Sequence, residues 1–292
     1  MEACHSTIVP PLTAVVRTHL FLLPSVRRDM ARLQGEGISF GKKYLKRSKI
    51  LIRITQHREG ELSPTEIHDL RVTVRRIQVM HKLLPKKIRF SSKQRRYQSA
   101  LRGLMKSTSE IRDLDILQEA LEQFRGSIPE NIFEELKANR QKAGKSASKV
   151  LVRFLARPLH EIGFKDINER KIADRLEGQV NGRVKLSRKL LKSAIRDENR
   201  IEEIHELRIQ LKKLRYLLEV DSDASPSIEW LTSWQDMLGE IHDLDVAKTY
   251  LGDHGIGSSQ SVETELSRRR NIAFLRFKEA AMIDDQLTLI VR

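Results

Sequence analysis

The chain has 292 residues and a formal net charge of +15, with 54 Lys and Arg residues against 39 Asp and Glu residues. Its one cysteine, Cys4, excludes an internal disulfide and a cysteine-rich zinc site, and no apolar run approaches the ~18 residues that cross a bilayer. Scarce glycine and aromatic residues beside abundant charged ones predict an all-α fold. The basic excess predicts a polyanionic partner, and the lack of a spanning apolar run predicts no membrane partner.

In chain order, residues 1–37 are predicted to form an N-terminal extension that is either poorly ordered or a short helix packed on the outside. The rest of the chain has helical periodicity and no sustained strand pattern, with a break predicted just before Asp113. We divide this domain, 38–292, into a first helical half of about 38–160 and a second of about 165–292. The predicted helices cover about 39–59, 65–84, 91–107, 113–124 and 130–155, and then most of the chain to about 281.

Two motifs occur twice, in the same order, which predicts an internal duplication. IHDLRVTVRRIQVM and IHELRIQLKKLRYL align His68 with His205 at an offset of 137 residues. EIRDLDI and EIHDLDV align Asp113 with Asp243 at an offset of 130 residues. Two copies of a small helical bundle explain this spacing better than a solenoid, whose repeats have periods of ~20–50 residues.

Each copy of the first motif is a helix that is apolar almost all round yet carries cations on one side. Buried cations are costly unless they line a wet cleft or meet anions, so we expect a cleft for a polyanion. A solvated basic face is the alternative. The cations concerned are His68, Arg71, Arg75 and Arg76 in the first copy and His205, Arg208, Lys212, Lys213 and Arg215 in the second.

The acidic motif has two interpretations. Asp113 and Asp243 are predicted to orient neighbouring Arg or His side chains through charge-assisted hydrogen bonds. Alternatively, these residues, or Asp115 and Asp245, N-cap a helix. Neither interpretation makes them catalytic.

The duplicated His-x-x-Arg helix, the Lys/Arg pairs and the Arg/His-Asp-Leu-Asp motif resemble the CHAD family, the conserved histidine α-helical domain, over about residues 38–292. The resemblance implies two four-helix bundles related by a pseudo-twofold axis around a basic central cavity. It also implies non-enzymatic binding of inorganic polyphosphate, without a cofactor, in the cytoplasm or at polyphosphate granules. The chain departs from the pattern at Gln78, where the second copy has Arg215, and at His242, where the first has Arg112.

Arg112 and His242 are therefore predicted to join the motif-helix cations in the polyphosphate site. Flanking helices are expected to add cations, although a solvated surface charge is the alternative for each of them. These flanking candidates are Lys42, Lys46, Arg102, Lys106, Arg188, Lys189, Arg269, Arg270 and Arg276.

Two other functions fit parts of the sequence. His68-Asp69 and His242-Asp243 are dipeptides typical of metal-dependent phosphohydrolases, but they come from different motifs, which argues against a shared metal site. A chain with this charge also binds RNA or DNA non-specifically at low salt. No recognition helix module or aromatic RNA platform is evident, so specific nucleic-acid binding is a weaker interpretation than polyphosphate binding. The metal-dependent phosphohydrolase is the weakest of the three.

Overall fold

The computed structural model describes residues 40–56, 61–156, 167–220, 225–254 and 260–283. All regular structure in these residues is helical, which confirms the all-α prediction, and the predicted extension 1–37 lies outside them. A 3₁₀ turn at Arg125–Ser127 separates α5 from α6. The helices are α1 (Phe40–Gln56), α2 (Pro64–Leu83), the short α3 (Lys86–Arg89), α4 (Ser92–Ser107), α5 (Ser109–Glu122), α6 (Glu130–Leu155), α7 (Glu169–Ala194), α8 (Ile201–Leu218), α9 (Pro226–Asp253) and α10 (Gln260–Ile283).

Local sequence sets the start of the first motif helix. The backbone N–H of Glu66 donates to Ser63 Oγ, and the Glu66 carboxylate accepts from the Ser63 N–H at 2.9 Å, which forms a capping box. Pro64 occupies the first turn, where its missing N–H costs nothing. The same device begins α9, where Ser225 Oγ caps the helix and Pro226 follows.

The break predicted just before Asp113 is wrong by one helical turn. The helix is interrupted at Thr108, whose hydroxyl donates to Leu104 O at 2.8 Å. Asp113 therefore lies inside α5, and Asp243 lies deep inside α9, so the N-cap interpretation of the acidic motifs is also wrong. The 130-residue offset places Leu238 where the first half has Thr108, and there α9 continues without a break.

The two halves meet through the helices that carry the repeated motifs. Helices α1, α2, α4, α5 and α6 pack together, as do α7 to α10, while α2 contacts α8 and α5 contacts α9. Ile67, Ile77, Met80 and Leu83 of α2 are all fully buried and spread over more than half of its circumference, which explains the apolar pattern around most of that helix. The pseudo-twofold relation and the basic central cavity remain predictions. Among the described helices, none is long and apolar enough to span a membrane.

Candidate anion-binding site

Cations from three helices converge where the two halves meet. Burial lowers the pKa of the Arg208 guanidinium on α8, and the charges of Arg75 on α2 and Arg112 on α5 lower it further. Burial and repulsion by Arg75 likewise lower the pKa of Arg71. Arg208 and Arg75 in turn repel Lys212. We call Arg71, Arg75, Arg112, Arg208 and Lys212 the central cluster.

The pKa of Lys212 reflects both its burial and the positive charge around it. Burial, followed by repulsion from Arg208 and Arg75, lowers the pKa of its ammonium to about 7. The Asp243 carboxylate opposes this shift, and Arg215 adds to it. An ammonium with this pKa carries about half its charge at neutral pH. Three neighbouring arginines repel it, and one carboxylate, that of Asp243, attracts it.

The two equivalent arginines of the motif helices have different partners. Arg71 Nη1 donates to Met105 O at 2.9 Å and to Thr108 Oγ1 at 3.1 Å, both at the break between α4 and α5. The unbroken α9 offers no such break to Arg208, and Arg208 Nε is buried without a hydrogen-bond partner in the described residues. A buried donor without an acceptor costs free energy that an anionic ligand would recover.

The first aspartate of each acidic motif lies beside the central cluster. Asp113 favours the charged form of Arg71, and Asp243 favours that of Arg208. Burial raises the pKa of Asp243, while the charges of Arg208 and Lys212 act to lower it. Five cations thus face two carboxylates, so the pairing within the cluster is incomplete.

Two of the predicted histidines lie together at the edge of the cluster. His205 Nδ1 and His242 Nδ1 are 3.3 Å apart and the ring centroids 4.8 Å apart. Burial, followed by repulsion from Arg208, lowers the pKa of His242 to about 4, so this ring is neutral at neutral pH. His68 lies apart from them, exposed, with Nδ1 3.3 Å from the carboxylate of Asp69.

Arg76 and Arg215, which the sequence places in the site, share an internal carboxylate. Arg76 Nε donates to Glu219 Oε2 at 2.6 Å, and Arg215 Nε lies 3.5 Å from Glu219 Oε1. Arg47 Nη2 donates to the backbone carbonyl of Glu219 at 2.7 Å. The Glu219 side chain is only 3% exposed, so these bonds fasten the end of α8 to α1 and α2. Sequence analysis did not single out Glu219.

The second aspartate of each acidic motif binds an arginine from the last helix of its half. Arg140 Nε donates to Asp115 Oδ1 at 2.6 Å, and Arg270 Nε donates to Asp245 Oδ1 at 2.7 Å. Each arginine also donates to a backbone carbonyl just before the motif helix of its half. Arg140 donates to Leu62 O, and Arg270 donates to Glu198 O. Arg270 is thus a structural tie. Sequence analysis missed Arg140, although it lies 130 residues before Arg270, the offset of the acidic motif.

The other flanking candidates lie mostly outside the cluster. Arg269 is bound by Glu265, and Arg276 Nη2 donates to Glu240 at 2.6 Å. Arg188 is partly buried, with two side-chain nitrogens that lack hydrogen-bond partners in the described residues. The remaining candidates are exposed: Lys42, Lys46, Arg102, Lys106 and Lys189.

A cavity of about 800 Å³ lies between α5, α8 and α9, and its lining is not that of the basic cavity that the family resemblance implies. His205, His242 and Asp113 line it, but no cation of the central cluster does. Its walls are apolar and acidic, with Lys106 as their one Lys or Arg residue. The acidic residues that line it are Glu110, Asp113, Glu202, Asp245 and Asp253.

The described part of the chain contains no group of three or more His, Cys, Asp or Glu side chains that could hold a metal ion. His242 contacts His205, and His68 contacts Asp69, so the two His-Asp dipeptides have separate surroundings.

Comparison with known proteins identifies the family. The sequence profile of the CHAD domain matches residues 48–252. No curated protein matches the chain. Among solved structures, the crystal structure of the CHAD domain from the plant Ricinus communis is similar, with 21% sequence identity and a TM-score of 0.47 over 86% of this chain and 87% of that one. Because this profile matches well over half of the chain, the chain belongs to the CHAD domain family.

Proposed function

We propose that this protein binds inorganic polyphosphate through the central cluster and does not hydrolyse it. Membership of the CHAD family and the excess of cations over carboxylates support this proposal. The observation that carries it is the pairing of Arg208 and Lys212, two partly buried cations that repel each other on one face of α8. Such an arrangement is stabilised by an anion between them.

The chemistry of the residues suits a flexible polyanion. Arginine offers planar, bidentate hydrogen bonds to phosphate, and lysine acts as a mobile point charge. A polyphosphate chain has many equivalent phosphates, so its binding needs several cations in series and no shaped pocket. By analogy with nucleic acids, binding releases counterions and weakens steeply as salt increases. In the cell, we propose a scaffolding role in the cytoplasm or on polyphosphate granules.

The proposal is tested by removing four cations of the motif helices α2 and α8, here called the stripe, while keeping the fold. Changing Arg71, Arg75, Arg208 and Lys212 together to Ala is expected to abolish tight binding of long-chain polyphosphate and to leave the helical circular dichroism signal intact. The matched control changes four exposed lysines of α6 and α7 to Ala, which removes the same charge elsewhere. These are Lys137, Lys145, Lys149 and Lys185.

The control separates a site from overall charge. If both quadruple variants lose the same affinity, binding follows net charge and the central cluster is not the site. If the folded stripe variant retains the wild-type affinity, the proposal fails outright. Orthophosphate release by the wild-type protein with divalent metal would instead make it a hydrolase.

A further inference from the structure

Three cations lie near the junction of α2, α7 and α8, where α2 contacts both other helices and Arg175 Nη1 of α7 donates to Leu83 O at the end of α2 at 2.9 Å. Partial burial and repulsion by Arg183 of α7 and Lys213 of α8 lower the pKa of the Lys82 ammonium near the end of α2. Within the described ranges, no carboxylate lies within ion-pair distance of any of these three side chains. The junction therefore has positive charge that the surrounding described residues do not neutralise.

The internal repeat shows why this charge is unpaired. The motif-helix offset of 137 relates Arg76 to Lys213 and Lys82 to Glu219. Arg76 and Glu219 form the short ion pair between α2 and α8 described above. The equivalent contact on the other side brings Lys213 and Lys82 together, two like charges where the repeat has an acid and a base. One end of the contact between the halves thus has a carboxylate that binds its arginines, and the other end has cations without one.

Arg183 is held in place beside these lysines. Arg183 Nη1 donates to the side-chain oxygen of Gln210, and the Gln210 amide nitrogen donates to the carboxylate of Glu206. This chain of hydrogen bonds fixes the guanidinium without a direct ion pair. A fixed guanidinium loses less side-chain entropy when it binds a phosphate.

The junction lies along the same face of α2 as the central cluster. Lys82 follows Arg75 by seven residues, close to two helical turns, so the two side chains lie on one face about 10 Å apart along the axis. Gln78, an uncharged hydrogen-bonding side chain, lies between them. A phosphate chain bound at Arg75 can reach Lys82 only if it extends well beyond the central cluster.

We propose that Lys82, Lys213 and Arg183 form a second anion subsite, which binds a distal segment of a long phosphate chain whose first segment occupies the central cluster. This inference rests on the proposed function. In this arrangement the phosphate chain extends from the central cluster in one direction only, because the carboxylate of Glu219 lies at the equivalent position on the other side. Long chains therefore bind more tightly than short ones.

The decisive variant is Lys82→Glu. It places an acid near Lys213, as Glu219 lies beside Arg76 at the equivalent positions of the repeat. We expect its affinity for long-chain polyphosphate to fall about tenfold, with a shallower salt dependence, because phosphate contacts are lost. Its affinity for tripolyphosphate should equal that of the wild type. Lys145→Glu, which changes the same charge at an exposed position on α6, should lose far less. Lys82→Gln serves if the first variant is less stable.

Lysine acylation followed by mass spectrometry locates the contact directly. Long-chain polyphosphate should protect Lys82 and Lys213 from acylation, whereas tripolyphosphate should protect Lys212 alone, with Lys145 as the unprotected reference. If the wild type binds neither ligand, the proposed function fails. If it binds long chains, yet both Lys82 variants bind as tightly and Lys82 is not protected, only the second subsite is refuted.

Discussion

The low pKa of Lys212 predicts that polyphosphate binding takes up a proton. In the free protein, burial and the cations Arg208, Arg75 and Arg215 hold the pKa of this ammonium at about 7, and Asp243 only partly opposes them. An anion within the central cluster offsets this repulsion and pairs with the ammonium, which raises its pKa against the effect of burial. The fraction of the free protein in which Lys212 is deprotonated then gains a proton at Lys212 as it binds.

The upper limit of the effect follows from a complex in which the pKa of Lys212 is fully restored to 10.5. At pH 7 about half of the free protein lacks the Lys212 proton, so binding takes up about 0.5 proton, rising to about 0.9 at pH 8. Between pH 6 and pH 8 the affinity should weaken about tenfold, because the free protein increasingly has to bind that proton first.

Isothermal titration calorimetry in buffers of different ionisation enthalpy measures the proton uptake directly. Lys212→Arg is the matched control, because arginine keeps the charge but does not titrate in this range. Any titration of the ligand's own phosphates is common to both proteins and cancels in the difference. Equal proton uptake by wild type and variant at pH 7 and pH 8 would refute this reasoning.

Stability should depend on pH in the opposite sense. The unfolded chain has Lys212 at its ordinary pKa, so between about pH 7 and pH 10.5 it binds more protons than the folded protein. This residue therefore makes the unliganded fold more stable as pH rises through that window, and Lys212→Arg should reduce that rise in the unfolding free energy measured with urea.

Further predictions concern the buried carboxylates. Glu219→Gln should cost about 1–3 kcal/mol of unfolding free energy in urea, since Arg76 loses a charged acceptor, and an unchanged midpoint would contradict the clamp between α8 and α2. Arg140→Ala should cost about 3–5 kcal/mol, because it strands Asp115, whose side chain is 3% exposed. Arg270→Ala should cost less, because its aspartate is 18% exposed, and the reverse order would refute this ranking.

Much of the fold could be predicted from helical periodicity and local signals. The capping box at Ser63 and the Pro-initiated helix after it are local, so the sequence alone places the start of α2. The interruption at Thr108 lies a turn before the predicted position, because it depends partly on a tertiary contact. There a threonine hydroxyl bonds to the preceding turn and Arg71 arrives from another helix.

The motif-helix cations of the candidate site could be found from their stripe, but their partners could not. Arg208 and Arg76 look alike in the sequence, yet one has a buried unpaired nitrogen and the other binds Glu219. Which cation has a carboxylate depends on the packing between the halves. The sequence also contains a signal that distinguishes the two ends of the contact between α2 and α8. The 137-residue offset aligns the cation Lys82 with the acid Glu219.

The central claim is tested most directly by a competition titration of the wild-type protein. Long-chain polyphosphate is immobilised at ~150 mM salt, where weak surface electrostatics are partly screened. RNA, DNA and orthophosphate then compete in charge-matched excess. We predict that polyphosphate stays bound. Equal competition by RNA or DNA would show that the central cluster binds any phosphate polymer and would contradict polyphosphate binding as the function.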